Sequence, residues 1–284
     1  MLAATVARAD VTLTRTSANR STAWTHVATE MGSSCQNVSE AQIELANGET
    51  RADAFDSALV LYMMDTPDSN TYSTFTYDAD ATVTDFTATG DATVVGNCSA
   101  TLESESLSAA VELTFDRNVG RVVATATVTN EGDQPFTGVL QFWSNFGSDD
   151  ATVVEMTSSG DQVAGGSDSW VITSDGTYSD GSDPVIKSFT NTAGAYLGSY
   201  TDINDGEDNL AWNLDVTDLA PGSSVSISAG HQLYLTAEEA ITDSAATSVP
   251  VPLLSNPGLL ALAGALGLLG SLGLSRRRKK PASL

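Results

Sequence analysis

Oxygen-bearing side chains crowd one short stretch of this chain, Asp202-Ile203-Asn204-Asp205-Gly206-Glu207-Asp208-Asn209. Hard cations such as calcium take oxygen ligands from loops that bend sharply at a glycine. Asp202, Asn204, Asp205, Glu207 and Asp208 are therefore candidate calcium ligands. The stretch falls one residue short of the D-x-N-x-D-G order, and the bidentate Glu of an EF-hand is absent. Asp175-Gly176 through Asp183 has a similar make-up. Asp-Gly pairs are also ordinary turn formers. Calcium is the one cofactor toward which any spacing leans.

Other chemistries find less. Nucleophilic hydrolysis needs an activated Ser or Cys with a base in reach. The chain has no G-x-S-x-G, and nothing beside His26 or His231 marks a triad. His231 shares the parity of apolar neighbours and reads as a hydrogen-bonded sheet histidine. Zinc draws on closely spaced Cys and His, whereas the four such residues here are scattered from His26 to His231. A glycosidase needs two carboxylates at a set separation, and 36 acidic residues single out no pair. Trp24, Trp143, Trp170 and Trp212 have the chemistry of a sugar-stacking platform, but sandwich cores also use Trp, so core packing is expected for each. With no catalytic motif, the chain does not read as an enzyme.

The elements that must position these residues read as strands. Val111, Leu113 and Phe115 alternate with Glu112 and Thr114. After the turn Asp116–Gly120, Val122, Ala124, Ala126 and Val128 alternate with threonines. That is a hairpin with one buried face. Leu140 and Phe142, then Trp212, Leu214 and Val216, then Val225 and Ile227, repeat the period of two, as do His231, Leu233 and Leu235. Asn47-Gly48 predicts a type I′ turn. No segment before the tail sustains a 3.6-residue period. The expected fold is all-β, an antiparallel β-sandwich built as one large or two smaller sandwiches, with a β-solenoid as the alternative; no repeat of fixed period supports the latter.

Charge and cysteines set the compartment. All 36 acidic residues lie between Asp10 and Asp243, against six basic ones there, a net charge of −30. Such a field repels nucleic acid and attracts divalent cations, so nucleic-acid binding is excluded. Cys35 and Cys98 are the only cysteines, with no C-x-x-C. In an exported chain their default is one disulfide; two buried thiols or a metal site are the other readings.

The C-terminus carries an address. Val251-Pro252-Leu253-Leu254-Ser255-Asn256-Pro257-Gly258 leads into the apolar run Leu259 to Leu274, which ends at Arg276-Arg277-Arg278-Lys279-Lys280. From Pro257 the helix would be ~27 Å long, at the short end of a bilayer span. The five cations would hold its end in the cytoplasm. This arrangement resembles the C-terminal sorting tails that exosortases process in Gram-negative bacteria. It comes nearest the IPTL-CTERM type, Ile-Pro-Thr-Leu-Ser-Glu-Trp-Gly. Val251 stands for the Ile, and Pro252, Leu254, Ser255 and Gly258 match. Leu253, Asn256 and Pro257 depart, which keeps a neighbouring tail class such as PEP-CTERM open. The resemblance covers about residues 249 to 280. It implies an exosortase-type membrane enzyme as partner, an inner-membrane stage, then the cell surface or secretion.

A layout in five parts is expected. Residues 1–9 would be the remnant of a signal peptide, with Ala7-Arg8-Ala9 as a signal-peptidase site. Residues 10–237 would form the ectodomain and 238–256 a flexible linker bearing the sorting motif. A transmembrane helix would occupy 257–275 and a basic tail 276–284. The functional expectation is an exported envelope or surface protein with a structural, adhesive or matrix role. The alternative is a carbohydrate-binding module or polysaccharide-acting enzyme, with extracellular polysaccharide as partner.

Overall fold

The alternation of apolar and polar residues becomes two antiparallel sheets. A computed structural model of the chain describes residues 11–16, 20–67, 71–147, 151–175, 183–199 and 201–248. The expected signal-peptide remnant, sorting motif and membrane helix, and the basic residues 276–280, lie outside the described residues. No described helix is long and apolar enough to cross a membrane.

With strands numbered in chain order, the first sheet runs β1 (Val11–Thr16), β2 (Arg20–Val27), β3 (Val38–Leu45), β5 (Phe55–Met64), β12 (Phe136–Phe146), β17 (Asn209–Leu219) and β16 (Tyr196–Leu197). β4 (Thr50–Arg51) pairs with β3, and β6 (Tyr72–Thr74) with β5. The second sheet runs β13 (Thr152–Thr157), β14 (Trp170–Asp175), β15 (Val185–Thr190), β18 (Ser224–Tyr234), β11 (Arg121–Asn130), β10 (Glu105–Asp116), β9 (Ala92–Leu102) and β7 (Thr76–Tyr77), with β8 (Thr82–Thr84) beside β9. The chain divides into units 1–241 and 242–284; of the second, only the end of the helix α1 (Ala237–Ser248) is described.

The inner faces of the two sheets share one core. Leu140 opposes Leu214 and Phe142 opposes Trp212 across β12 and β17. The expected hairpin forms β10 and β11, in register from Asp116↔Arg121 to Leu107↔Asn130. Its inward set, Val111, Leu113, Phe115, Val122, Ala124, Ala126 and Val128, is buried. Trp24 of the first sheet meets Phe115 of the second edge-on, ring centroids 5.2 Å apart. Truncating such a buried aromatic costs about 3–5 kcal/mol.

Cys35 and Cys98 form a disulfide that ties the segment after β2 to β9. Beside it, Gln36 is fully buried and its Nε2 donates to the carbonyls of Glu112 and Thr125, at 2.9 Å each. The crosslink and this amide clamp both join the first sheet's connection to the second sheet.

Two local expectations are corrected. At Asn47-Gly48 only Gly48 has positive φ, and its N–H donates to the Leu45 carbonyl at 2.9 Å. The hairpin therefore closes through a turn followed by a left-handed glycine, whereas type I′ requires positive φ at both central residues. The start of the expected linker 238–256 is helix α1. Thr236 Oγ accepts from Glu239 N–H at 3.2 Å, and Glu239 Oε2 reaches back to Leu235 N–H at 3.3 Å. That exchange is a capping-box arrangement. Ala240 then packs with Tyr234, Val185 and Ile172 on the outer face of the second sheet.

Candidate functional site: an aromatic groove

A single residue decides which side chains of β5 face outward. Leu59 has φ +62°, and pairing with β12 shifts there, from Trp143↔Val60 to Asn145↔Ser57. An extra residue in one strand frees a backbone N–H and re-aims the side chains beyond it. Ser144 Oγ takes the freed Leu59 N–H at 3.1 Å. Beyond the bulge Leu61 and Met63 enter the core, so Tyr62 and Met64 face outward. On β12, Leu140, Phe142 and Ser144 are inward, so Gln141 and Trp143 are outward.

These outward residues line a groove of about 420 Å³ with Tyr72, Ser199, Asp202 and Asn209. Tyr62 meets both other rings of the lining. Tyr72 meets it edge-on at 5.3 Å and 87°, and Trp143 at 6.2 Å and 74°. Burial and the neighbouring Tyr72 push the Tyr62 hydroxyl above its ordinary pKa, against a hydrogen bond with Thr74, so the phenol stays neutral at physiological pH.

A floor of amides lies beneath. Gln141 Nε2 donates to Asn213 Oδ1 at 2.9 Å. Asn213 is fully buried, and its Nδ2 has no hydrogen-bond partner. A Cβ at Gly198 would fall 2.3 Å from that nitrogen, so only glycine fits there. Along one wall, Asn209 donates from its N–H and Nδ2 to Asp202 Oδ1 and Oδ2, at 2.9 and 3.0 Å. Asn145 Nδ2 reaches Asn209 Oδ1 at 3.2 Å.

That wall is propped from behind. Asn204 exchanges hydrogen bonds with Ala164 N–H and C=O, at 2.8 Å each. Ala164 belongs to a loop organised around Asp168, which accepts from Ser158 Oγ, Ser159 N–H and Gly165 N–H. Burial alone would raise the Asp168 carboxyl, but these hydrogen bonds together hold it below the ordinary range.

The candidate calcium ligands do not gather. Asp202 turns to Asn209 and Asn204 to Ala164, Asp205 and Glu207 are exposed, and buried Asp208 accepts from Thr152 Oγ1 at 3.2 Å. Among the described residues, no three His, Cys, Asp or Glu converge as a metal site. The glycine after Asp205 closes a short 3₁₀ turn, Ile203–Asp205, rather than a ligand loop.

His231 is enclosed between the sheets. Ser144 Oγ lies 2.8 Å from its Nε2 and Ser188 Oγ 2.7 Å from its Nδ1. Desolvation pushes its pKa down to about 3. Two serines beside a histidine resemble a nucleophile and base, but at 1% exposure this ring meets no substrate. Among the tryptophans, Trp24 and Trp212 are core residues, while Trp170 is half-buried with Lys187 Nζ 5.3 Å from its ring centroid. Trp143 departs from the expectation of core packing. Its signal in the chain is its parity with Gln141, opposite to Leu140 and Phe142.

No protein-family model matches the chain, nor does any curated protein sequence. Several solved structures resemble it in part. A galactose mutarotase-like protein from Lactobacillus casei has TM-score 0.46 and 13% identity, covering 79% of this chain and 100% of that one. A protein from Synechocystis has TM-score 0.47 and 11% identity, over 83% and 100%. A galactose mutarotase related enzyme from Lactobacillus acidophilus has TM-score 0.39 and 8% identity, over 79% and 97%.

Proposed function

We propose that this protein binds carbohydrate in the groove of its first sheet and is delivered to the cell envelope by its C-terminal tail. The observation that carries the binding reading is the cluster of Tyr62, Tyr72 and Trp143 above Gln141, Asp202 and Asn209. Sugar rings present apolar C–H faces and hydroxyl edges. Concave sites with aromatic walls and a few fixed polar groups match both. Of the groove's described lining, Asp202 is the single carboxylate. Glycoside hydrolysis calls on a pair of carboxylates, so binding is favoured over hydrolysis.

Titration of the full chain with a panel of neutral and charged oligosaccharides tests this, read by calorimetry and tryptophan fluorescence. At least one should bind, and Trp143→Ala should abolish the binding with the melting temperature little changed. No binding across the panel would overturn the reading. Turnover in a mutarotation assay, lost in Asp202→Asn, would replace binding by catalysis. The delivery reading has its own test in the native host. Neutral residues in place of Arg276 to Lys280 should impair processing and retention, because the topological bias is lost; unchanged processing and location would refute it.

A further inference from the structure

We infer that the groove is selective for a cationic amino sugar, with the ammonium group placed between the Asp202 carboxylate and the aromatic rings. This rests on the carbohydrate reading and narrows it to one charge class. Three features point the same way.

The first is the carboxylate. Asp202 receives its hydrogen bonds from the amides of Asn209, which are neutral donors. Among the described residues, no Lys, Arg or His lines the groove or forms a salt bridge with Asp202. A carboxylate oxygen has lone-pair capacity beyond one donor, so both oxygens can still accept from an incoming N–H.

The second is ring geometry. Tyr72 and Trp143 stand close to perpendicular to Tyr62, at 87° and 74°. Rings set at right angles line a corner rather than one flat platform, and their negative faces attract a cation seated there. Tyr72 is 57% exposed, so its ring is open to a ligand. A corner of rings beside one carboxylate also suits an ammonium group carried on a sugar ring.

The third is the field. With a formal net charge of −24 the chain attracts cationic ligands and repels anionic ones. A uronic acid or sulfated sugar would set its charge against Asp202, with no cation among the described lining residues to offset it.

Full-chain protein should be titrated at low salt with glucosamine oligomers, with the same oligomers N-acetylated, and with galacturonate oligomers. The amino form should bind about tenfold more tightly than the acetylated form, and the galacturonate form not at all. Asp202→Asn should remove that preference, so that the amino and acetylated forms bind the variant with equal affinity. Tyr72→Ala, on an exposed ring, should narrow the ratio of amino to acetylated affinity and serves as the second variant if Asp202→Asn melts early. Equal binding of amino and acetylated forms would overturn the inference while leaving the carbohydrate reading intact. A preference that persists in both variants would also overturn it, assigning selectivity to the overall charge. Absence of all binding would overturn both.

Discussion

The hydroxyl of Ser144 holds the backbone N–H of Leu59, 3.1 Å away, at the bulge that turns Tyr62 out of the core and into the groove. Leu59 at φ +62° is a strained position for a branched side chain. The strain persists because Ser144 supplies what the ladder cannot. While its oxygen accepts from Leu59, the same hydroxyl pairs with His231 Nε2, and His231 Nδ1 pairs with Ser188 Oγ. Core polar chemistry and groove geometry are thereby one unit.

Ser144→Ala should accordingly cost more than a lost surface hydroxyl. It strands a buried N–H and a buried imidazole nitrogen, for about 2–4 kcal/mol together. Urea unfolding measures the loss, and fluorescence of the half-buried Trp143 reports whether the groove shifts. A loss below ~0.5 kcal/mol would show that water replaces the hydroxyl.

His231 sets a pH limit. Its folded pKa, near 3, lies below the unfolded value near 6.5, so the unfolded chain binds the extra proton between those values. The neutral ring's contribution is complete above pH 6.5 and is lost progressively as pH falls toward 3. The slope reaches at most about 1.4 kcal/mol per pH unit. His231→Gln should be less stable at pH 7 yet lose stability less steeply between about pH 6 and 4. Parallel curves for the two proteins in denaturant midpoints across that range would refute the assignment.

Sequence made the scaffold legible and the groove much less so. β10 and β11 alternate strictly, because one face is buried and the other solvated. β5 does not: Phe55-Asp56-Ser57-Ala58-Leu59-Val60-Leu61-Tyr62-Met63-Met64 is apolar on both faces beyond its start, and nothing in it announces a bulge. Tyr72 joins Tyr62 through a three-residue strand too short to show a period. Helix α1 is masked by its Ala, Ser and Thr composition, although Thr236-x-x-Glu239 is a start signal. Spacing alone makes Asp202 a cation ligand; tertiary contacts give it Asn209 instead.

Replacing both Cys35 and Cys98 by alanine should lower stability by about 4 kcal/mol, the closure entropy of a loop with sequence separation 63. The reduced wild type should behave alike. The loss reads as a shifted denaturant midpoint. A change under ~1 kcal/mol would mean that Gln36 and the β7–β9 pairing already hold this connection in place.

Calcium separates the two readings of the 202–209 segment. Like-charge repulsion destabilises so acidic a domain, so any salt should raise its melting temperature by screening. An ion bound by the native state alone adds a further increment by mass action. Asp202 is held by Asn209, and among the described residues no three acidic side chains converge at this segment. Asp202→Ala should therefore lower the melting temperature in any salt, since it strips two hydrogen bonds from the groove wall. The excess effect of millimolar calcium over sodium at equal ionic strength should be the same in Asp202→Ala as in the wild type. If the substitution removes that excess instead, Asp202 is a ligand after all, and cation binding would compete directly with the hydrogen bonds that shape the groove.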